Sequence, residues 1–416
     1  MKKPLVVLLA ISLLLGLLAG CSGPKVSTTT STDTSTAYGE SANPTAPSAS
    51  TSLSESTSFG ELDALNPDSG KSDETSTGKP SKSDGVNHTN PYGAFFRGAI
   101  RVEEREGTFG DILDGGGSFI PLRFSTSRLA VYDNYPRAPY ARCTTGIRLD
   151  FTTSASEISF RYSITAHFFD GTQPTETMDF YVDGSLSKKV PIDYVSTRSE
   201  TVSLSLPAGS HRVTVYLPAW HGLALSNLNL GADAAPITPT GKKYLILSDS
   251  IGQGLFADGA SGSYVSRLMR ELDAEYLNLS VGGDTFLASN LDSDIPFAPD
   301  RIFISLGIND YAFSRQDHGF AQIDTIKSNA MRYLSTVRSL YPSAEILVMT
   351  PIIEVDPALQ TAILDACSSV GVRVVRGTDY FSGSSSLLSD GVHPNSEGHE
   401  KLAEALLPLF RESSWS

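Results

Sequence analysis

The apolar positions change rhythm three times along the chain. After Met1, Lys2 and Lys3 the first twenty residues are almost all aliphatic. From about Ser22 to Asn90 the chain is mostly Ser, Thr, Pro, Gly, Ala and Asp, with almost nothing to bury. From about Pro91 to Gly231 the period is two. Ile158, Phe160, Tyr162, Ile164, Ala166 and Phe168 alternate with Ser159, Arg161, Ser163, Thr165 and His167. Met178, Phe180 and Val182 repeat the pattern and run into Asp183-Gly184, a hairpin-turn signal. Val202, Leu204 and Leu206 lead through Pro207-Ala208-Gly209 to Val213, Val215 and Leu217. Short alternating strands with no helical stretch between them predict an antiparallel β-sandwich, jelly-roll-like, over 91–233.

Past a Pro-containing link at Ala234–Thr240 the pattern changes again. The apolar runs Tyr244–Leu247, Tyr276–Val281, Ile302–Leu306, Ile346–Met349 and Val372–Val375 alternate with helix-length segments near Tyr264–Leu272, Phe320–Leu340, Pro357–Ser369 and Ser396–Phe410. Uniformly apolar strands between helices predict a parallel sheet covered on both faces, here over 241–416. In such sheets the chemistry gathers outside the carboxyl ends of the strands.

Four short motifs fall at those ends: Ser248-Asp249-Ser250-Ile251-Gly252, Ser280-Val281-Gly282-Gly283-Asp284-Thr285, Leu306-Gly307-Ile308-Asn309-Asp310-Tyr311 and Asp390-Gly391-Val392-His393-Pro394-Asn395. A serine hydroxyl needs a base to take its proton as it attacks. Ser250 lies where a strand turns into a helix, and Gly252 and Gly254 permit a tight backbone there. His393 is the candidate base. Asp390, three residues earlier, can accept from its other ring nitrogen and hold the tautomer.

In this order the four blocks closely resemble those of the SGNH (GDSL-type) hydrolases, over roughly Lys243 to Phe410. The resemblance implies a flavodoxin-like three-layer fold and ester hydrolysis by a Ser250–His393–Asp390 triad. It assigns the oxyanion hole to the N–H of Ser250, the N–H of Gly283 and the side-chain amide of Asn309. A preceding β-sandwich is similar to arrangements among carbohydrate esterases of this type. The family's first block usually begins with Gly where this chain has Ser248, a difference that bears on the geometry of the turn. Ser248 could also compete as nucleophile. Because Ser248 to Gly252 also reads as a nucleophile elbow with its first Gly replaced, an α/β-hydrolase is the alternative fold. That fold separates acid and His widely in sequence, and here they are three apart.

Other polar residues carry plainer expectations. Asp249, Asp284 and Asp310 are expected to bond loop backbone. His88, His167 and His211 are expected on the surface or at caps, and His318 and His399 in solvent. Trp220 and His221 suit either the rim of a site or a buried domain interface. Cys143 and Cys367 are expected as two buried thiols. No Cys/His or carboxylate group has metal-ligand spacing, so an enzyme without metal or cofactor is expected.

Composition adds the setting. The chain has 416 residues and a formal net charge of −14, which disfavours a nucleic-acid partner. About 325 residues after Asn90 can fold, a length suited to two domains. Lys2, Lys3 and the run Leu5–Leu18 read as a signal peptide, too short for a comfortable span of ~20 residues. Its end, Leu18-Ala19-Gly20-Cys21, matches the pattern cut by lipoprotein signal peptidase, which implies a lipidated Cys21 at the start of the mature chain. Residues 22–90 cannot repay their ordering entropy by burial and read as a tether holding the folded part outside the bacterial membrane. The expectation is an exported, lipid-anchored esterase removing small acyl groups, acetyl first, from a carbohydrate. The alternatives are a non-catalytic glycan-binding lipoprotein and a lipase on longer-chain esters.

Overall fold

The alternating segments are strands in the computed structural model of the chain, which describes residues 93–105, 117–134, 138–167, 176–192 and 199–415. The leader with Cys21, the tether, His88 and Phe168 lie outside the described residues. Alternation puts one side of each strand inward. Ile158, Phe160 and Tyr162 are buried while their neighbours Ser159 and Arg161 are half-buried, and the inward set meets Phe151, Met178, Phe180, Val213 and Val215 in one apolar layer.

Two antiparallel sheets enclose that layer. The first runs β1 (Phe96–Arg97), β4 (Arg148–Thr153), β9 (His211–Tyr216), β6 (Glu176–Val182) and β7 (Ser185–Ile192), and β11 (Ala235–Pro236) adds to β4. The link to the second unit therefore contributes an edge strand. The second sheet runs β2 (Arg101–Arg105), β3 (Ser118–Leu122), β10 (His221–Asn229), β5 (Glu157–His167) and β8 (Ser199–Ser205). β6 and β7 join through Asp183 and Gly184, both with positive φ (50° and 81°), as the Asp-Gly pair demands in a two-residue hairpin. One expectation fails. Two short helices, α1 (Thr126–Tyr132) and α2 (Ala138–Ala141), interrupt the strands. Ser125 caps α1 by accepting from the Arg128 N–H, a local signal that strand periodicity does not contain.

The C-terminal sheet is parallel, in the order β13 (Glu275–Asn278), β12 (Lys243–Ser248), β14 (Arg301–Ser305), β15 (Glu345–Met349) and β16 (Arg373–Val375). The middle positions of its central strands are apolar because both faces are covered. Leu245, Leu247, Ile302, Ile304 and Val348 meet α6 (Ile323–Leu340) and α7 (Pro357–Val370). Tyr244, Ile246, Phe303, Leu347 and Met349 meet α4 (Tyr264–Glu271) and α8 (Ser396–Phe410). Each fully buried aliphatic side chain contributes about 1.5–3 kcal/mol.

Two further helices, α3 (Ser250–Gln253) and α5 (Ile308–His318), begin at the ends of β12 and β14. The sequence pattern does not announce α5, because only its first turns, Ile308 to Ala312, are buried and no apolar stripe runs its length. The sandwich also enters the first of the two α/β cores. Ile120, Leu122, Phe124, Leu129 and Tyr132 pack in the same apolar cluster as Leu277, Leu279 and Val281. Among the described residues no helix is long and apolar enough to cross a membrane.

Candidate active site

β12 delivers Ser250 to the first position of α3. Asp249 caps that helix by accepting from the Ile251 N–H at 2.9 Å, and Gly254 closes it with φ 97°. Gly252 is required here, since a Cβ on it would lie 2.4 Å from the Ser248 Cβ. Ser248 itself is buried, and its hydroxyl donates to the Ser305 carbonyl at 2.8 Å. The replaced glycine is thus filled by a side chain that fits the space above Gly252, and its bonded hydroxyl is not poised to act as nucleophile.

The Ser250 Oγ lies 2.8 Å from His393 Nε2, and His393 Nδ1 lies 2.7 Å from Asp390 Oδ2. These contacts fix the tautomer, with Nδ1–H donating to Asp390 and Nε2 accepting from Ser250. Asp390 Oδ1 accepts from the N–H groups of Val392 and His393 at 2.9 and 2.8 Å. Burial works against the Asp390 carboxylate, but the hydrogen bond and charge of His393, with those two N–H groups, outweigh it. The net shift of its pKa is downward, so it stays ionised. The Ser389 N–H donates to the His393 carbonyl at 2.9 Å, which makes the loop a self-bonded unit ahead of α8. The Phe256 ring meets the His393 ring edge-on at 5.9 Å, and Phe256 holds φ 63°, strained for a residue with a side chain.

Gly283 turns with φ 77°, which a side chain would resist. Asn309, in the first turn of α5, donates from Nδ2 to the Asp284 carbonyl at 3.0 Å and stands 3.5 Å from Asp249 Oδ2. The structure thus gathers the loops carrying Ser250, Gly283, Asn309, Asp390 and His393. Cys21 lies outside the described residues.

Behind Asn309 sit three buried carboxylates. Asp249 caps α3, Asp284 accepts from the Thr285 N–H and the Asn290 amide, and Asp310 accepts from the Phe286 N–H at 3.1–3.2 Å. All three bond loop backbone. Burial raises Asp249 to about 6 and Asp310 to about 7, each helped by neighbouring carboxylate charge.

The sandwich reaches this site. Trp220 is buried against Tyr140, ring to ring at 5.8 Å, and shares an apolar cluster with Ala219, Leu255 and Phe256. A Cβ at Gly282 would lie 3.4 Å from the Trp220 ring. His221 bonds Glu176 at 2.7 Å, and that carboxylate also accepts from the N–H groups of Ala219 and Trp220. Trp220 is therefore an interface residue, set against the Gly282-Gly283 turn, whereas His221 is buried with its partners inside the sandwich.

Residues that the sequence reading did not single out complete the junction. The Arg123 guanidinium, 1% exposed, donates to the carbonyls of Cys143, Asn278, Ser280 and Tyr140. Burial lowers its pKa to about 10, still cationic at neutral pH. Gln253, fully buried, accepts from the Gly282 N–H and donates to the Tyr140 and Ala219 carbonyls. The only sequence signal for Gln253 was its place three residues after Ser250. Arg123 offered none.

His399 corrects an expectation. It is fully buried rather than solvated, donating from Nε2 to the Leu255 carbonyl at 2.9 Å, accepting from the Tyr264 N–H and stacked on the Tyr264 ring. Burial lowers it to about 4, so it is neutral. Its spacing with Leu402, Ala403 and Leu406 on the buried face of α8 was the signal available. His318 is exposed, His211 bonds Asp183 at 2.7 Å, and Cys143 and Cys367 are free, buried thiols. Among the described residues no group of three His, Cys, Asp or Glu is arranged to hold a metal ion.

Comparison with known proteins agrees with this architecture. Residues 249–401 match the model of the GDSL-like Lipase/Acylhydrolase family. No curated protein sequence matches the chain significantly. Among solved structures, the salicylyl-acyltransferase SsfX3 of a tetracycline biosynthetic pathway is similar at 20% identity, over 74% of this chain and 92% of that one, with a TM-score of 0.59. A family two carbohydrate esterase from Clostridium thermocellum, in complex with cellohexaose, is similar at 18% identity over 71% of this chain and 98% of that one (TM-score 0.51). A carbohydrate esterase family 2 enzyme with a carbohydrate-binding domain from Corynascus thermopiles (Myceliophthora fergusii) is similar at 18% identity over 64% and 93% (TM-score 0.51). At these identities the structures share the fold. Residues 249–401, which hold the serine at the strand end and its histidine partner, match the GDSL-like lipase/acylhydrolase family, and the domain they form is an esterase-type hydrolase.

Proposed function

We propose that the chain is a serine esterase that removes small acyl groups, acetyl first, from a carbohydrate, and that it works outside a bacterial membrane to which Cys21 anchors it. The observation that carries the chemistry is the continuous relay Ser250–His393–Asp390, with contacts of 2.8 and 2.7 Å. As Ser250 Oγ attacks the ester carbon, its proton passes to His393 Nε2, and Asp390 stabilises the imidazolium that forms. The carbonyl oxygen gains charge in reach of donors from the three other loops. The Ser250 N–H lies in the first turn of α3, where it has no intrahelical partner. Gly283 presents its N–H without a side chain in the way. One Asn309 N–H is committed to the Asp284 carbonyl. The other meets Asp249 only at 3.5 Å, the limit of a hydrogen bond, so it is available to the oxyanion. Collapse returns the proton to the departing sugar oxygen, and water then releases the acyl group by the same steps.

The carbohydrate reading draws on the fold shared with two carbohydrate esterases and on a sandwich packed against the Gly282-Gly283 turn. The anchor reading draws on the Leu18-Ala19-Gly20-Cys21 pattern alone. The test is hydrolysis of 4-nitrophenyl acetate and longer 4-nitrophenyl esters by the full chain, beside acetate release from an acetylated oligosaccharide. Wild type should be active, Ser250→Ala inactive, and the rate should fall sharply beyond short acyl groups. Activity of wild type no higher than that of Ser250→Ala, with no labelling by a fluorophosphonate, would remove the catalytic reading. A rate that climbs with chain length would replace the carbohydrate reading by a lipase.

A further inference from the structure

We infer that Gln253 is a positioning residue through which the β-sandwich sets the oxyanion-hole turn, so that the sandwich is part of the catalytic apparatus. The inference rests on the esterase reading above.

Two consecutive glycines, Gly282 and Gly283, form the turn that presents the Gly283 N–H. Such a pair has more backbone freedom than any other and loses the most on being fixed. Something must hold it in one conformation, because donors help only when aimed at the oxygen before the reaction begins. Upstream the turn is anchored by the Val281 N–H on the Ser248 carbonyl at 3.0 Å, and downstream by the Asp284 N–H on the Val281 carbonyl at 2.9 Å. At Gly282 itself the partner is the Gln253 side chain, whose Oε1 accepts the Gly282 N–H at 2.8 Å.

The other end of the same amide faces the sandwich. Gln253 Nε2 lies 3.1 Å from the Ala219 carbonyl and 3.3 Å from the Tyr140 carbonyl. Both of those residues precede or face Trp220, whose ring covers Gly282. An amide has an acceptor and donors in one rigid plane, so fixing the donors on two sandwich carbonyls fixes where the acceptor points. Gln253 is the last residue of the helical turn that begins at Ser250. One buried side chain thus ties together the nucleophile's turn, the oxyanion turn and two segments of the sandwich, α2 and the loop before β10. Arg123 holds the same junction one step back, through the Ser280 and Tyr140 carbonyls, but does not reach the glycine pair.

The test compares full-length wild type, Gln253→Leu and Gln253→Glu on 4-nitrophenyl acetate, with binding of an alkylboronic acid as a probe of the tetrahedral state. Leucine removes the acceptor and the donors. Glutamate keeps the size and the acceptor for Gly282 but has no N–H for the two carbonyls, and it serves if the leucine variant does not fold. In the folded variants kcat should fall 10-fold or more while KM stays within threefold, and the boronate Kd should weaken in step with kcat. A purely structural role would lower the thermal midpoint and leave kcat and boronate affinity alone. A kcat within twofold of wild type, or a loss confined to KM, overturns the inference. Wild type no more active than Ser250→Ala would instead remove the esterase reading on which it rests.

Discussion

Replacing Asp390 with Asn tests the relay, because the structure leaves the new side chain two orientations, both defective. Asp390 now uses Oδ1 for the N–H groups of Val392 and His393 and Oδ2 for His393 Nδ1. If Asn keeps its oxygen on the two main-chain donors, its NH2 faces Nδ1. The imidazole must then carry its proton on Nε2, where it cannot accept from Ser250. If Asn flips, the tautomer is restored, but the NH2 opposes two N–H donors, at about 1–3 kcal/mol for each one left unsatisfied. In either case the developing imidazolium loses a carboxylate at hydrogen-bond distance. That attraction is worth about 4 kcal/mol at 4 Å and an effective dielectric near 20. At 1.36 kcal/mol per decade the expected loss in kcat is about 10³-fold. KM for 4-nitrophenyl acetate should stay within about threefold, because Asp390 lies behind His393. Steady-state rates of the two proteins, beside their thermal unfolding, make the measurement. A loss smaller than tenfold in a folded variant would mean that Asp390 only shapes its loop, and the relay argument would fail.

Three further outcomes follow from the buried polar groups. Arg123→Met leaves four carbonyls at the domain junction without their charged donor and should cost about 3–5 kcal/mol in urea unfolding; under about 1 kcal/mol would contradict the bonding seen here. Asp310, raised to about 7, binds a proton in the folded chain that the unfolded chain releases near pH 4, so its contribution to stability falls as pH rises from about 4 to 7. Asp310→Asn should therefore gain about 2–4 kcal/mol relative to wild type between pH 5 and pH 8, and a difference that does not change with pH would refute this. Ser248→Gly loses one buried hydrogen bond and adds backbone entropy, an expected destabilisation of about 1–2 kcal/mol with kcat within threefold. A kcat ten times higher would instead show that serine at this turn limits the rate.

Much of the molecule was legible in the sequence because its determinants are local. Period-two alternation declares a half-buried strand, and the apolar runs of the C-terminal half declare strands covered on both sides. The Asp390–His393 pair is local too, since three residues of loop bring the carboxylate and the imidazole together. The tight turn at Ser250 follows from Gly252 within its helical turn and Gly254 at its end. The short helices were less visible. α1 depends on a single cap at Ser125, and α5 is buried only in its first turns.

The rest depends on what distant segments bring to one place, and tertiary structure alone decides that. His399 looked like a polar residue of a solvated helix, yet its helix packs that face on α4 and removes the ring from water. Nothing in residues 118 to 143 marks Arg123 as the donor to carbonyls more than 150 positions away. Gln253 acquires its meaning only when the Tyr140 and Ala219 carbonyls approach from the sandwich. Local chemistry thus determined which residues could react, while the packing of the sandwich on the α/β layer decided how their supporting turns are held. The physical reason is that a hydrogen-bond partner in space leaves no periodic or motif signature in the chain.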